Sequence, residues 1–188
     1  FAQLAFGLRR RKVPALIADC RAAAEKLGTA VLAGMEANIL GESGLTDMTE
    51  ADYDNFDLFL CGKHVLVGYE TAGDWWHYFG GNFVTDKFRR KPPRALVERN
   101  TRAYLAMIEK NPVDIVSHLN YLCPADAAEV ARCAADHGTY IELNSKKAHL
   151  TDEELFAVVQ TGVRFVIDSD AHSPDRVGDT ALVEEQLA

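Results

Sequence analysis

Five apolar segments of the chain each carry polar side chains of the types that bind metal ions. These side chains belong to Glu36, His64, His118, Asn144 and the pair Asp170 and His172. Carboxylate and imidazole groups suit zinc, manganese and iron. A single histidine after an apolar run is more typical of a structural role. Five such segments that converge would instead build one metal site.

The segments that carry these residues have the pattern of buried β-strands separated by helices. The strand candidates are TAVLAGMEANI, DLFLCGKH, VDIVSH, TYIELN and VRFVIDSD, none of which alternates like a half-exposed strand. Unalternating strands between helices indicate parallel β/α units, five in number here. Because ligands and catalytic groups collect at the carboxyl ends of parallel strands, we expect these polar side chains to lie together.

Helical periodicity covers residues 12–27, 94–110, 124–137 and 151–161, and a last helix is expected near residue 174. Gly28 and Gly138 follow two of these segments as C-caps, and Thr151 with Glu154 forms a capping-box pattern. Residues 65–93 are rich in glycine and aromatic residues. We predict a long loop with one short helix there, placed over a substrate.

The composition is typical of one folded domain, to which we assign residues 1–188. The chain is 48% hydrophobic and 26% charged. Its formal net charge of -8 argues against a nucleic-acid partner. No apolar run approaches the roughly 20 residues of a membrane span. Four cysteines without metal-like spacing favour a reduced, cytoplasmic protein.

The ordered motifs resemble those of the PHP (polymerase and histidinol phosphatase) family, most closely its stand-alone phosphoesterase branch. The motifs are GMEANI, DLFLCGKH, DIVSHL, YIELNS and FVIDSDAH. The resemblance implies a distorted (β/α)7 TIM-like barrel with three divalent metal ions, Zn, Mn or Fe. It also implies that Glu36 bridges two metals, that His64 and His118 complete the ligand set of one, and that Asp170 and His172 bind the other two. Glu36 and Asp170 would then serve catalysis.

The chain departs from that family at its beginning. The resemblance covers residues 31–178, but the family opens with histidine motifs on its first two strands, and no histidine precedes His64. Five β/α units are present where the family has seven. We therefore expect that the first two units, about 50 residues, are missing from this chain. Without them, the chain would have little or no activity.

For the complete protein, these features predict a metal-dependent, histidinol-phosphatase-like phosphoesterase that hydrolyses a small phosphomonoester. A metal-activated hydroxide would attack phosphorus. Substrate contacts are predicted for Asn144, Lys63, Lys146 and His77. One alternative is a metal-dependent amidohydrolase, although no lysine stands at a strand end as clearly as Glu36 does. The other is an inactive PHP module with a structural or partner-binding role.

Overall fold

A parallel sheet of five strands forms the centre of the chain in a computed structural model, which describes residues 1–4, 7–64, 66–88 and 91–188. The strands are β1 (Gly34–Asn38), β2 (Leu58–Gly62), β3 (Ile115–Val116), β4 (Tyr140–Asn144) and β5 (Phe165–Asp168). They lie in chain order, and each is parallel to the next. The predicted α/β class is confirmed. The described residues do not show a closed barrel or seven strands, so that part stays an expectation.

Eight α-helices among the described residues accompany the sheet. They are α1 (Val13–Leu27), α2 (Glu50–Tyr53), α3 (Ala72–Asp74), α4 (Asn82–Lys87), α5 (Arg94–Lys110), α6 (Ala127–His137), α7 (Asp152–Val159) and α8 (Ala181–Leu187). Helix α6 packs between α5 and α7 and also contacts β4. In the part of the chain that the structure describes, no helix combines the length and the apolar character needed to cross a bilayer.

The helix-end signals of the sequence are confirmed at three places and corrected at two. Gly28 and Gly138 are left-handed C-caps, and Thr151 forms its predicted capping box. Helix α6 begins at Ala127 and not at Pro124, because the Asp126 side chain accepts a hydrogen bond from the Glu129 N–H. The last helix does not start near residue 174, where only a 3-10 turn occurs.

The strand register places all five carboxyl ends at one edge of the sheet. Asn38 pairs with Gly62, and Asn144 pairs with Asp168. Strands β2, β3 and β4 are mostly buried, whereas β5 is partly exposed along its length. The centre of the sheet therefore carries the core, in which Val116 and Ile141 pack with Tyr104 of α5. This rigid centre is what positions the side chains that follow the strands.

The segment predicted as a long loop is largely helical. From Ala72 to Lys87 the chain runs through α3, the π-helix Trp75–Gly81 and α4 without a break. Thr71 caps its start by accepting a hydrogen bond from the Asp74 N–H. Ring stacking between Trp75, Phe79 and Phe83 follows the helix. These stacked rings offset the low helix propensity of the three glycines in this run. Residues 65, 89 and 90 of the predicted loop lie outside the described residues.

Asp52 links α2 to the start of the chain, and we expect acid to weaken this link. Its carboxylate accepts hydrogen bonds from Nε and Nη2 of Arg10 and from the N–H and hydroxyl groups of Thr49. The Arg10 hydrogen bond lowers the pKa of Asp52 to about 2. Because aspartate in an unfolded chain titrates at about pH 4, the stability that Asp52 contributes to the fold is present above that pH and is lost as the pH falls toward 2.

Replacing Asp52 with asparagine should lower the free energy of unfolding by about 1 kcal/mol at pH 7, since Arg10 is half exposed and a helix cap is weakened. Urea unfolding at several pH values measures this difference, which should shrink below pH 4. Asp54→Asn on the neighbouring exposed carboxylate is the control. A difference between wild type and Asp52→Asn that stays constant down to pH 2 would contradict the link.

Candidate metal centre

Glu36, His64 and His118 bring three metal-ligand atoms together at the carboxyl edge of the sheet. The Nε2 atom of His118 lies 2.9 Å from Oε1 of Glu36, and Nε2 of His64 lies 3.6 Å from the same oxygen. The two Nε2 atoms are 3.3 Å apart, with the imidazole rings nearly perpendicular. Within the described residues, this is the group of carboxylate, imidazole or thiol side chains that could hold a metal ion.

The spacing of these three atoms fits a metal site. Ligands that bind zinc tetrahedrally at 2.0–2.2 Å lie about 3.4 Å from one another. The observed separations of 2.9, 3.3 and 3.6 Å are close to that value. One carboxylate and two imidazoles are also a donor set that zinc, manganese and iron accept. The group therefore has both the atoms and the spacing that one divalent ion requires.

Electrostatics within the group keep Glu36 ionised. Burial alone would raise the pKa of Glu36, but the hydrogen bond and positive charge of His118, together with His64, lower it to about 2. Burial also opposes the charge of His118, yet its hydrogen bond to Glu36 raises the His118 pKa above the usual value. Burial lowers the pKa of His64. Glu36 is thus a carboxylate over the whole neutral range, as a metal ligand must be.

Three different local features place the ligands. Glu36 was expected at the end of β1 but is the third residue of that strand. From there its side chain extends to the carboxyl edge of the sheet, where it meets the two histidines. His64 and His118 each lie two residues beyond their strands. His118 has a φ of 33°, in the left-handed region that residues other than glycine rarely adopt. This backbone turn follows the short strand β3 and directs the ring toward Glu36.

Asp170 and His172 lie apart from this group, beside Lys146. The Lys146 ammonium is 3.3 Å from Oδ2 of Asp170 and 3.1 Å from Nδ1 of His172. Nδ1 of His172 also lies 2.9 Å from the Asp170 carbonyl oxygen. Among the described residues, the close metal-ligand group does not include either side chain. Their predicted metal roles, and the catalytic role of Asp170, stay predictions.

All five predicted metal ligands nevertheless line one cleft, with a volume of about 610 Å³. Its other lining residues are Gln3, Tyr121, Lys146, Lys147 and His149. Lys146 therefore lines the cleft, and its substrate contact stays a prediction. The ring of His149 packs against that of Tyr121, with 4.9 Å between the ring centroids. Burial and nearby positive charge lower the pKa of His149 to about 4.

The other three predicted substrate contacts lie elsewhere. Lys63 is buried, donates to the Ile39 carbonyl and lies over the rings of Tyr69 and Tyr78. Asn144 is buried and accepts from the backbone N–H groups of Lys146 and Lys147. His77 belongs to the π-helix and lines an aromatic groove with Trp75 and Trp76. Among these residues, Asn144 shapes the cleft through the loop that carries Lys146.

The sequence analysis missed Glu142, a buried acid in β4 directly beneath the site. One of its carboxyl oxygens, Oε2, accepts a hydrogen bond from the His118 N–H at 2.5 Å. Burial and a hydrogen bond to Asp168 raise the pKa of Glu142 to about 8, so it carries a proton at neutral pH. An acid flanked by apolar neighbours in YIELN was the available signal, since a buried carboxyl needs partners.

Comparison with known proteins finds similarity to bacterial proteins named "Probable phosphatase". One from a Thermoanaerobacter species is 28% identical over 80% of this chain and 56% of its own length. One from Shewanella piezotolerans is 29% identical over 81% and 56%. One from Proteus mirabilis is 28% identical over 86% and 60%. The chain thus spans a little over half the length of these relatives. No family model matches the chain.

Proposed function

We propose that the complete protein is a metal-dependent phosphoesterase of the PHP type that acts on a small phosphomonoester. The observation that carries this proposal is the convergence of Glu36 with His64 and His118 around one point at the edge of the sheet. The similarity to proteins named "Probable phosphatase" supports the same reaction class. Zn, Mn and Fe are the proposed ions, and the PHP resemblance implies three of them in the complete protein.

In this proposal the three converging side chains hold one ion, with Glu36 contributing the anionic ligand. A bound divalent ion supplies charge neutralisation for phosphate oxygens and a water of lowered pKa. Lys146 and Lys147 line the same cleft and bring positive charge to a phosphate dianion. Lys146 is already held at the cleft by Asp170. A small ester suits a cleft of about 610 Å³ better than a polymer would.

The position of Lys63 weighs against the amidohydrolase alternative. An amidohydrolase needs a lysine at a strand end that faces the metal ligands. Lys63 follows β2, but its ammonium binds the Ile39 carbonyl and lies between two tyrosine rings. Lys146 lines the cleft from the loop after β4. The phosphoesterase hypothesis, in contrast, is compatible with the observed positions of these basic side chains.

Metal analysis and activity assays on the purified full-length protein test the proposal. We expect bound zinc, manganese or iron, hydrolysis of p-nitrophenyl phosphate, and loss of that hydrolysis after chelation with recovery on metal addition. A panel of amides and lactones is the control for reaction class. Turnover of that panel without phosphatase activity would favour an amidohydrolase. Metal-free, inactive protein would favour a module with a structural or partner-binding role.

A further inference from the structure

The structure assigns Glu142 as a positioning residue that holds the turn after β3 and the loop after β4 of the candidate site together through hydrogen bonds. This inference rests on the proposed metal role of His118. Glu142 lies in β4 and is 7% exposed. It neither lines the cleft nor belongs to the group of candidate ligands. Its contribution is therefore made through the residues it contacts.

The first connection runs from β4 to the residue that follows β3. The Glu142 carboxyl accepts the hydrogen bond of the His118 N–H at 2.5 Å. His118 has a left-handed backbone conformation, which persists in residues other than glycine where the surroundings hold it. The Glu142 hydrogen bond is such a restraint, because it fixes the peptide plane that directs the His118 ring toward Glu36.

The second connection runs from Glu142 to the loop after its own strand. Nδ2 of Asn144 donates to Oε2 of Glu142 at 3.2 Å, while Oδ1 of Asn144 accepts from the backbone of Lys146 at 2.9 Å. The Asn144 amide is thereby fixed in orientation. Because this amide holds the loop, Glu142 indirectly determines where Lys146 enters the cleft.

The end of β5 is held to the same loop through the backbone. The Ser145 N–H, in the loop after β4, donates to the Asp168 carbonyl oxygen at 2.9 Å. Oδ1 of Asp168 in turn accepts the N–H of Asp170 at 3.1 Å. Asp170 has a φ of 41°, the second left-handed residue of the site. Glu142 therefore holds the turn at His118 directly and acts on the turn at Asp170 only through the loop after β4.

Two variants of Glu142 separate this positioning role from a role for its charge. Glu142→Gln keeps an oxygen that accepts from the His118 N–H and from Nδ2 of Asn144, so both connections survive. Glu142→Met has a similar length and keeps neither. A residue that binds metal by its charge would fail in both variants, whereas a positioning residue is rescued by glutamine.

Hydrogen exchange of the metal-free, full-length protein tests the inference without any metal. We expect the His118 N–H to lose at least about tenfold protection in Glu142→Met and to keep it in Glu142→Gln. Titration with Zn²⁺ should then show affinity lowered by about 10- to 100-fold in Glu142→Met and close to wild type in Glu142→Gln. Equal exchange in all three proteins would overturn the inference.

The same experiment distinguishes failure of the inference from failure of the proposed function. If the wild type binds no metal, the proposed function fails, and the exchange data still judge Glu142. Equal loss of protection and Zn²⁺ affinity in both Glu142 variants would also overturn the positioning role. Should Glu142→Met not fold, Asn144→Ala decides: we expect faster exchange at Lys146 and unchanged exchange at His118. Loss of protection at His118 in Asn144→Ala would contradict the inference that Glu142 holds His118 and Asn144 through separate hydrogen bonds.

Discussion

Replacing Glu36 with glutamine should abolish metal retention and phosphatase turnover in the full-length protein. Oε1 of Glu36 is the atom that both histidine Nε2 atoms approach. Glutamine keeps the size of the side chain but removes its negative charge, and a neutral amide is a poor ligand for these ions. We expect Zn²⁺ affinity to fall by more than about 100-fold, since even residues behind the ligands cost 10- to 100-fold.

Isothermal titration with Zn²⁺ and p-nitrophenyl phosphate assays measure the two effects. Glu25→Gln makes the same chemical change at an exposed position of α1 and is the matched control. The thermal unfolding of Glu36→Gln shows whether the fold is retained, so that loss of binding is not mistaken for loss of structure. Wild-type turnover in Glu36→Gln would exclude a bridging or catalytic role for this carboxylate.

Replacing Gly62 with alanine should displace His118 and weaken metal binding at the candidate site. Gly62 ends β2, and a Cβ atom there would lie 2.6 Å from Cε1 of His118 and would also collide with the Ser117 side chain. Neither neighbour can yield easily, because both belong to the turn after β3 and Glu142 holds that turn. We expect a loss of about 1–3 kcal/mol in stability and about 10- to 100-fold in Zn²⁺ affinity.

Gly34→Ala is the matched control for this overpacking. Gly34 begins the neighbouring strand β1, and a Cβ atom there would meet Leu60 at an ordinary 3.5 Å. Chemical denaturation and Zn²⁺ titration of both variants separate a site effect from a general cost of alanine in a strand. If both variants bind Zn²⁺ like the wild type, the close approach of His118 to Gly62 is not needed for the site.

The sequence was sufficient to locate the three candidate metal ligands because their positions follow from strand topology. Glu36, His64 and His118 each belong to an apolar strand segment, and parallel strands bring such residues to one edge. Asp170 and His172 were placed at the same cleft by the same reasoning. Their grouping with Lys146 was not foreseen, since it depends on how the loop after β4 folds back.

Features that depend on tertiary contacts could not be predicted from local pattern. The left-handed backbone at His118 is not announced by a glycine or asparagine at that position, and it is maintained by an acid from another strand. The helical run of residues 72–87 contains a π-helix, whose side-chain period differs from that of an α-helix. His149 lies in the cleft because its loop packs on Tyr121, a contact between separate segments.

The hydrogen bond from the His118 N–H to Glu142 also bears on the order in which the chain folds. The turn after β3 obtains its restraint from a strand that lies 24 residues further along the chain. We expect the His118 ring to lack a fixed direction until β4 has paired with β3, and three candidate ligands that meet only in the assembled sheet to bind an ion only after that step. Metal uptake should therefore follow sheet formation kinetically and report on one of the last events in folding.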